Sequence, residues 1–358
     1  MKISICYEFV EGPWGGINQF LKSLKKEFIN QGFFEEDFEK ADILLFNGHP
    51  FGKQYFFDRI LNLKQKFPDK IILYRIDGPI SLYRDEDGEF DRCISMIAST
   101  FADGVIFQSN WCREQNKELF NVGSHYETVI YNAPDGTLFN QAGKKEVRGR
   151  NDSDKIKLIA TSWSDNWNKG FEIYKYLDEN LDFLRYEMTF VGNTPVEFKN
   201  IKHVNPVPSE ELSGILREHN IYITASRNDP CSNSLIEALS CGLPSVALND
   251  GGHPELIDSG GELFNGKEDV ISKIEKVVNN YDYYKYKIPV FSIEKVAKYY
   301  YNFAYRIYKD VTNGKYKPKK LSILAKMNFY RMKFIVFKWN YKKMILSKLI
   351  VIKAKFKW

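Results

Sequence analysis

Residues 221–251, IYITASRNDPCSNSLIEALSCGLPSVALNDG, constrain the chain more than any other stretch. A short apolar run over 221–224 passes through Ser226-Arg227-Asn228-Asp229-Pro230 into a predicted helix over 232–241. Gly242 and Pro244 stop that helix, and a second apolar run follows over 245–248. Strand, loop, helix and strand in so short a span make a βαβ unit, and such units build parallel sheets that bind ligands at the carboxyl ends of their strands.

The polar content of this unit narrows its chemistry. Asp229 stands eight residues before Glu237, which puts one carboxylate on the loop and the other about one turn into the helix, both able to face one crevice. Ser232, Asn233 and Ser234 fall where a helix N-terminus leaves backbone N–H groups free, so one can cap while the others meet an anion. Carboxylates accept from sugar hydroxyls and amides donate to phosphate, a layout that matches a nucleotide sugar. The plainer reading, that Asp229 and Ser232 cap the helix and Glu237 is a solvated surface residue, stands beside it on spacing alone.

The run Asp229-Pro230-Cys231-Ser232-Asn233-Ser234-Leu235-Ile236-Glu237-Ala238-Leu239-Ser240-Cys241-Gly242-Leu243-Pro244 resembles the E-x7-E signature of retaining GT-B glycosyltransferases of the family 4 type. The resemblance implies an α/β fold of two Rossmann-like, doubly wound domains facing a cleft. It implies that Asp229 holds donor-sugar hydroxyls, that Glu237 accepts from the ribose, and that the amides of Cys231, Ser232, Asn233 and Ser234 meet the sugar or diphosphate. Asp229 replaces the usual Glu, and Cys231-Ser232 replace an aromatic-Gly pair. Lys169-Gly170 match the second part of the family's G-R-L-x-x-x-K-G segment, which implies that Lys169 contacts the diphosphate. The Arg of that segment is absent, with Ser162, Trp163 and Ser164 in its neighbourhood, so one ammonium and the helix-terminus amides must hold the diphosphate unless Arg227 or Arg75 supplies the missing cation. Val207 is expected to face the nucleobase through its backbone, and Gly251-Gly252-His253-Pro254-Glu255 resembles the G-G-x-x-E turn beside the donor pocket.

Toward the amino terminus, a strand over 2–9 runs into Gly12-Pro13-Trp14-Gly15-Gly16 and a helix over 17–30 with Phe20, Leu21, Leu24 and Phe28 on one face. Glycines let a backbone approach a ligand and the following helix N-terminus favours phosphate, although such a turn is more often only a tight connection; the resemblance, whose members carry a Gly-rich loop here near the donor diphosphate, is what makes Gly15 and Gly16 donor-side candidates. Strands over 42–46, 70–75, 104–108 and 127–131 alternate with helices, as a doubly wound sheet requires. Arg75 and Asp77 close the strand over 70–75 and so face the crevice, where Asp77 can orient an acceptor hydroxyl and Arg75 can meet an anionic acceptor; a turn Asp before Gly-Pro is the plain alternative. Asp85-Glu86-Asp87 has the D-x-D spacing of a metal site but sits in a polar loop with no apolar strand before it, and it reads as a solvated turn. No metal or other cofactor is expected. The substrate implied is a UDP- or GDP-linked sugar. His203 and His253 have no partner at ligand spacing and read as structural.

Length and charge set the organisation. At 358 residues and 44% hydrophobic content the chain can bury two cores. Residues 1–140 form the first, acceptor-side domain, 150–291 the nucleotide-sugar domain, and a helix over about 292–312 crosses back to the first; 141–154 is a charged linker, and a capped helix begins at Ser209. Five cysteines without a CxxC pair suit a reduced, cytoplasmic setting, and no apolar run is long enough to span a bilayer. The segment 313–358 is different in kind. From Lys315 onward it holds 14 Lys and Arg and no Asp or Glu, so the +5 total less those 14 leaves −9 on residues 1–314. Its lysines, interleaved with aromatics, do not gather on one helical face. Such a tail suits an anionic membrane surface, with a nucleic-acid tail or a clamp on an acidic body as the other readings; the acidic body offers no nucleic-acid motif. The combined expectation is a glycosyltransferase acting on a glycan or lipid-linked acceptor, peripheral on the inner face of the cytoplasmic membrane. The alternative is a non-catalytic scaffold that binds glycans or nucleotide sugars on the same fold.

Overall fold

Runs such as Ile43–Asn47 and Ile71–Ile76 are buried along their whole length, as strands covered by helices on both faces must be. The computed structural model describes residues 1–12, 15–48, 56–84, 88–144 and 155–355. In the first half these form β1 (Ile3–Cys6), α1 (Gly16–Asn30), β2 (Ile43–Asn47), α2 (Phe56–Lys66), β3 (Ile71–Ile76), α3 (Ile80–Arg84), α4 (Glu89–Thr100), β4 (Gly104–Phe107), α5 (Asn110–Phe120) and β5 (Tyr126–Val129). The strands are parallel in the order β1-β2-β3-β4-β5. Ile3 also bridges Phe34, with Ile3 N–H donating to Phe33 and Glu35 N–H donating to Ile3. The chain therefore steps outward from β1 and returns to β2, and the winding reverses between them.

The second half restarts with β6 (Ile156–Ser162), a single 3-10 turn (Trp167–Lys169), α6 (Phe171–Asn180), β7 (Tyr186–Gly192), β8 (Lys202–Val204), α7 (Ser209–Arg217) and β9 (Ile221–Thr224). It continues through α8 (Asn233–Ser240), β10 (Ser245–Leu248), α9 (His253–Ile257), β11 (Gly261–Phe264), α10 (Lys267–Asn279) and α11 (Tyr281–Tyr286). This sheet is also parallel, ordered β11-β10-β9-β6-β7-β8, so its winding reverses between β6 and β9. Ser209 does not cap α7: Pro208 holds the N-cap position without a side-chain bond, since proline has no group to offer. Residues 145–154 of the expected linker lie outside the described residues.

α12 (Ile293–Thr312) crosses back to the first sheet, and its Ala297, Tyr300, Ala304 and Ile307 join Phe20, Leu24, Ile43 and Leu73 in one core. On the opposite side of that sheet α13 (Ile323–Lys355) packs outside α2 and α4, its Ala325, Met332 and Val336 buried among Ile60, Ile94 and Ile97. The basic tail is thus docked on the first domain rather than hanging from it. Asp103 anchors the approach to it: wholly buried, it accepts from the N–H of Ile72 at 2.9 Å, the Tyr316 hydroxyl at 3.0 Å and the N–H of Lys319 at 2.7 Å. The Lys64 ammonium lies 3.6 Å away; burial pulls that amine below its ordinary pKa, against the pull of Asp103. Removing one partner of a buried pair strands the other. Asp103→Ala is expected to cost about 3–5 kcal/mol in urea unfolding, and an unchanged midpoint would show that the 315–320 segment docks without it.

Candidate active site in the interdomain cleft

The reversal between β6 and β9 brings two loops together at the carboxyl edge of the second sheet, where ligands of doubly wound folds bind. They approach closely. Gly170, at φ +85°, sits so near the other loop that a Cβ there would lie 2.3 Å from the Ala225 carbonyl, and Arg227 N–H donates to the Asn168 carbonyl at 2.8 Å. This register carries Lys169 Nζ to 3.0 Å from Asp229 Oδ2. Burial raises the Asp229 carboxyl, but the Lys169 ammonium and the Cys231 N–H, 3.2 Å from Oδ1, bring it below its ordinary value.

From Asp229 the chain enters α8. Ser232 caps it, its Oγ accepting from Leu235 N–H at 3.4 Å and meeting Ser234 Oγ at 3.2 Å, while the Cys231 and Ser232 side chains are buried. Asn233 reaches the first domain. It accepts from Asn132 Nδ2 at 3.0 Å, and a Cβ on Gly16 would lie 2.4 Å from its Nδ2, so the glycine turn before α1 and the start of α8 are in contact. Gly15 faces Trp163 in the same way, with a Cβ position 3.9 Å from the indole ring.

Glu237, one turn further along α8, opens onto a cavity of about 260 Å³ walled by Gln19, Lys22 and Lys26 of α1 and by Pro208, Ser209 and Glu210. Lys22 is paired with Glu11 at 2.9 Å and Lys26 with Asp135 at 2.8 Å. Glu237 has no partner among the described residues, and burial without a counter-charge pushes its carboxyl up to about 8. Val207 packs on the second-domain core, so it is the residues just after it that reach the cavity wall. Lys169 and Asp229 lie outside that wall, at the other end of the 229–237 segment.

The first domain departs from the sequence expectation. Arg75 is wholly buried: one guanidinium nitrogen donates to Asn47 Oδ1 at 2.5 Å and to Asp77 Oδ1 at 2.7 Å, the other to Asn132 Oδ1 at 2.8 Å. Asp77 accepts in addition from Asn47 Nδ2 at 2.9 Å and from Gln108 Nε2. Arg75 is not free for an acceptor, because a buried guanidinium has to be paired and hydrogen-bonded to remain inside, whereas Asp77 keeps 13% of its side chain exposed. Arg227 is paired with Glu172 at the surface. Lys169 is therefore the cation that the structure places on Asp229.

Four residues of the cleft make contacts that the sequence did not foretell. Asn47, Gln108 and Asn132 each follow an apolar strand run, and their signal was that position alone. Glu255 is the fourth. It accepts from the backbone N–H groups of Asn110 at 2.8 Å and Trp111 at 2.7 Å, from Asn110 Nδ2 at 2.9 Å and from the Tyr131 hydroxyl at 2.7 Å, so a second-domain carboxylate caps first-domain helix α5. Burial raises the Glu255 carboxyl, and these donors hold it below its ordinary value. His203 bonds the Gly192 carbonyl at 2.8 Å and His253 the Leu248 carbonyl at 3.0 Å, as structural histidines do. Among the described residues no group of three His, Cys, Asp or Glu could hold a metal. Asp85, Glu86 and Asp87 lie outside them.

Residues 174–280 match the model of a family described as glycosyl transferases group 1. No curated protein sequence matches the chain. Among solved structures, sucrose-phosphate synthase from Thermosynechococcus elongatus is 12% identical with a TM-score of 0.60, over 97% of this chain and 99% of that one. HepE from Anabaena, in complex with UDP and glucose, is 14% identical with a TM-score of 0.61, over 87% of this chain and 100% of that one. WaaG, a glycosyltransferase involved in lipopolysaccharide biosynthesis, is 12% identical with a TM-score of 0.54, over 84% and 95%. The chain has the GT-B fold, and residues 174–280 of its second half are similar to group 1 glycosyl transferases.

Two outcomes test the site. Glu255→Ala should remove on the order of 2 kcal/mol of interdomain contact and enlarge the particle in small-angle scattering; an unchanged profile and melting point would mean that Glu255 does not latch the domains. For Glu237, the folded carboxyl holds its proton to about pH 8 whereas the unfolded one releases it near 4.5. The stability from the protonated form is complete below 4.5 and drains as pH rises through 8. Glu237→Gln cannot titrate, so its melting temperature should gain on the wild type between mildly acid and alkaline pH. Parallel pH profiles would place Glu237 in bulk solvent.

Proposed function

We propose that the protein is a retaining glycosyltransferase of the family 4 type. It moves a sugar from a UDP- or GDP-linked donor to a lipid-linked glycan at the inner face of the cytoplasmic membrane, in surface polysaccharide or lipopolysaccharide synthesis. The observation that carries this reading is the Lys169–Asp229 pair at the second sheet's reversal point, leading through the α8 N-terminus to Glu237, which has no partner among the described residues, in the cleft cavity.

Asp229 and Glu237 take the two acidic positions of the E-x7-E signature. Glu237 accepts from ribose hydroxyls in the cavity, and Asp229 accepts from hydroxyls of the transferred sugar. Lys169 turns from Asp229 toward the diphosphate, and together with the Gly15-Gly16 turn and the amides of Cys231 to Ser234 it stabilises the departing charge without a metal. Preorganised donors of this kind contribute roughly 10²–10³ in rate each. A diphosphate oxygen takes the acceptor's proton during same-face transfer, so Asp77 need not act as a base; with Arg75 it shapes the acceptor side. The likeness to WaaG, which is involved in lipopolysaccharide biosynthesis, supports a lipid-linked acceptor, and the basic segment after Lys315 supports a membrane setting.

Thermal-shift titration with UDP- and GDP-sugars should find one donor that raises the melting temperature. Glu237→Ala should weaken it by about 2 kcal/mol, roughly thirtyfold, while Lys169→Ala should bind it and fail to turn it over. Donor binding without hydrolysis or transfer in the wild type would favour a non-catalytic scaffold, a reading that the missing arginine supports. Indifference to every nucleotide sugar would overturn both.

A further inference from the structure

α13 carries two apolar stripes on opposite sides. The inner one, Ala325, Phe329, Met332, Val336 and Trp339, packs on α2 and α4 of the first domain. The outer one, Ile323, Met327, Tyr330, Phe334, Phe337 and Tyr341, recurs every three or four residues and is exposed, with Tyr330 at 69%, Phe334 at 61% and Phe337 at 65%. Stripes half a turn apart leave only the flanks for charge. At 100° per residue Arg331 and Lys338 fall on one flank and Lys326 and Lys333 on the other, which is why no single basic face shows in the sequence. Lys333 is committed to Asp58 at 3.2 Å. No acidic residue occurs from Lys315 to the end of the chain.

We propose that this outer stripe of α13 is the surface by which the protein lies on an anionic lipid bilayer, the helix parallel to the plane, its aromatics at the interface and its basic flanks against lipid phosphates. The proposal rests on the membrane setting given above and names the face responsible. The heptad-like spacing would also suit pairing with a second copy, but two copies would set basic flank against basic flank, a like-charge arrangement that opposes association. An anionic surface answers the stripe and the flanks together.

The direction of the helix bears on the acceptor. Asn328 bonds Thr100 at the far end of α4, at 3.0 Å, while the Trp339 ring stands 5.2 Å from Phe90 at the end of α4 that follows the carboxyl edge of β3. α13 therefore runs antiparallel to α4, from the base of the first domain toward the cleft edge. A bilayer under the stripe brings a lipid-borne acceptor to that edge.

The test uses the full chain with vesicles of phosphatidylglycerol and phosphatidylcholine, and of phosphatidylcholine alone. Wild type should sediment with the anionic vesicles and not with the neutral ones. Phe334→Ser with Phe337→Ser, which leaves the inner stripe intact, should weaken binding by about tenfold or more. Arg331→Gln with Lys338→Gln should weaken it by about fivefold per charge. Melting temperature and donor-induced thermal shift should stay at wild-type values in both. Wild type that ignores anionic vesicles overturns the membrane setting itself. Wild-type binding that survives the phenylalanine pair overturns this face while leaving the setting intact. A wild-type dimer in analytical ultracentrifugation that the same pair dissociates assigns the stripe to self-association and overturns the proposal.

Discussion

A guanidinium with no solvent exposure has to be paired and hydrogen-bonded where it lies, and Arg75 organises the first domain's half of the cleft for that reason. It gathers Asn47 from β2, Asp77 from just past its own strand and Asn132 from beyond β5, and Gln108, after β4, closes the set through Asp77. Asn132 passes the network on to Asn233 at the head of α8. The buried charge of one domain is thus continuous with the helix that carries Glu237 in the other.

A second carboxylate works in the opposite direction. Glu255 leaves the second sheet to satisfy the free N–H groups at the start of α5, which would otherwise need water. Together with the Gly16–Asn233 contact, these bonds hold the two domains around the cavity and bring the Lys169–Asp229 pair close to the domain boundary. Shutting water out of such a cleft strengthens every charge interaction inside it.

Much of the fold was legible in the chain because parallel strands buried on both faces are written as apolar runs. Ile221–Thr224, Ser245–Leu248 and Ile43–Asn47 stand within a residue of where the apolar pattern puts them. The helix after Asp229 was equally plain, since Ser232 caps it and Gly242 and Pro244 follow it. The tail was not. Two stripes on opposite sides of α13 cancel when one face is sought, and only the position of the first domain shows which stripe is inner.

By itself the sequence determined two parallel α/β halves, a loop-and-helix segment with carboxylates at 229 and 237, a lysine at 169 before a glycine, and a tail without negative charge. Those follow from local rules: side-chain period, capping and glycine conformation, which act over a few residues. Only the tertiary structure decided that Lys169 meets Asp229, that Arg75 is buried against Asp77, and that Glu255 caps a helix 144 residues away in the chain. These contacts depend on where each sheet reverses its winding and on how the halves face each other, and burial, which sets their strength, exists only once the halves have closed.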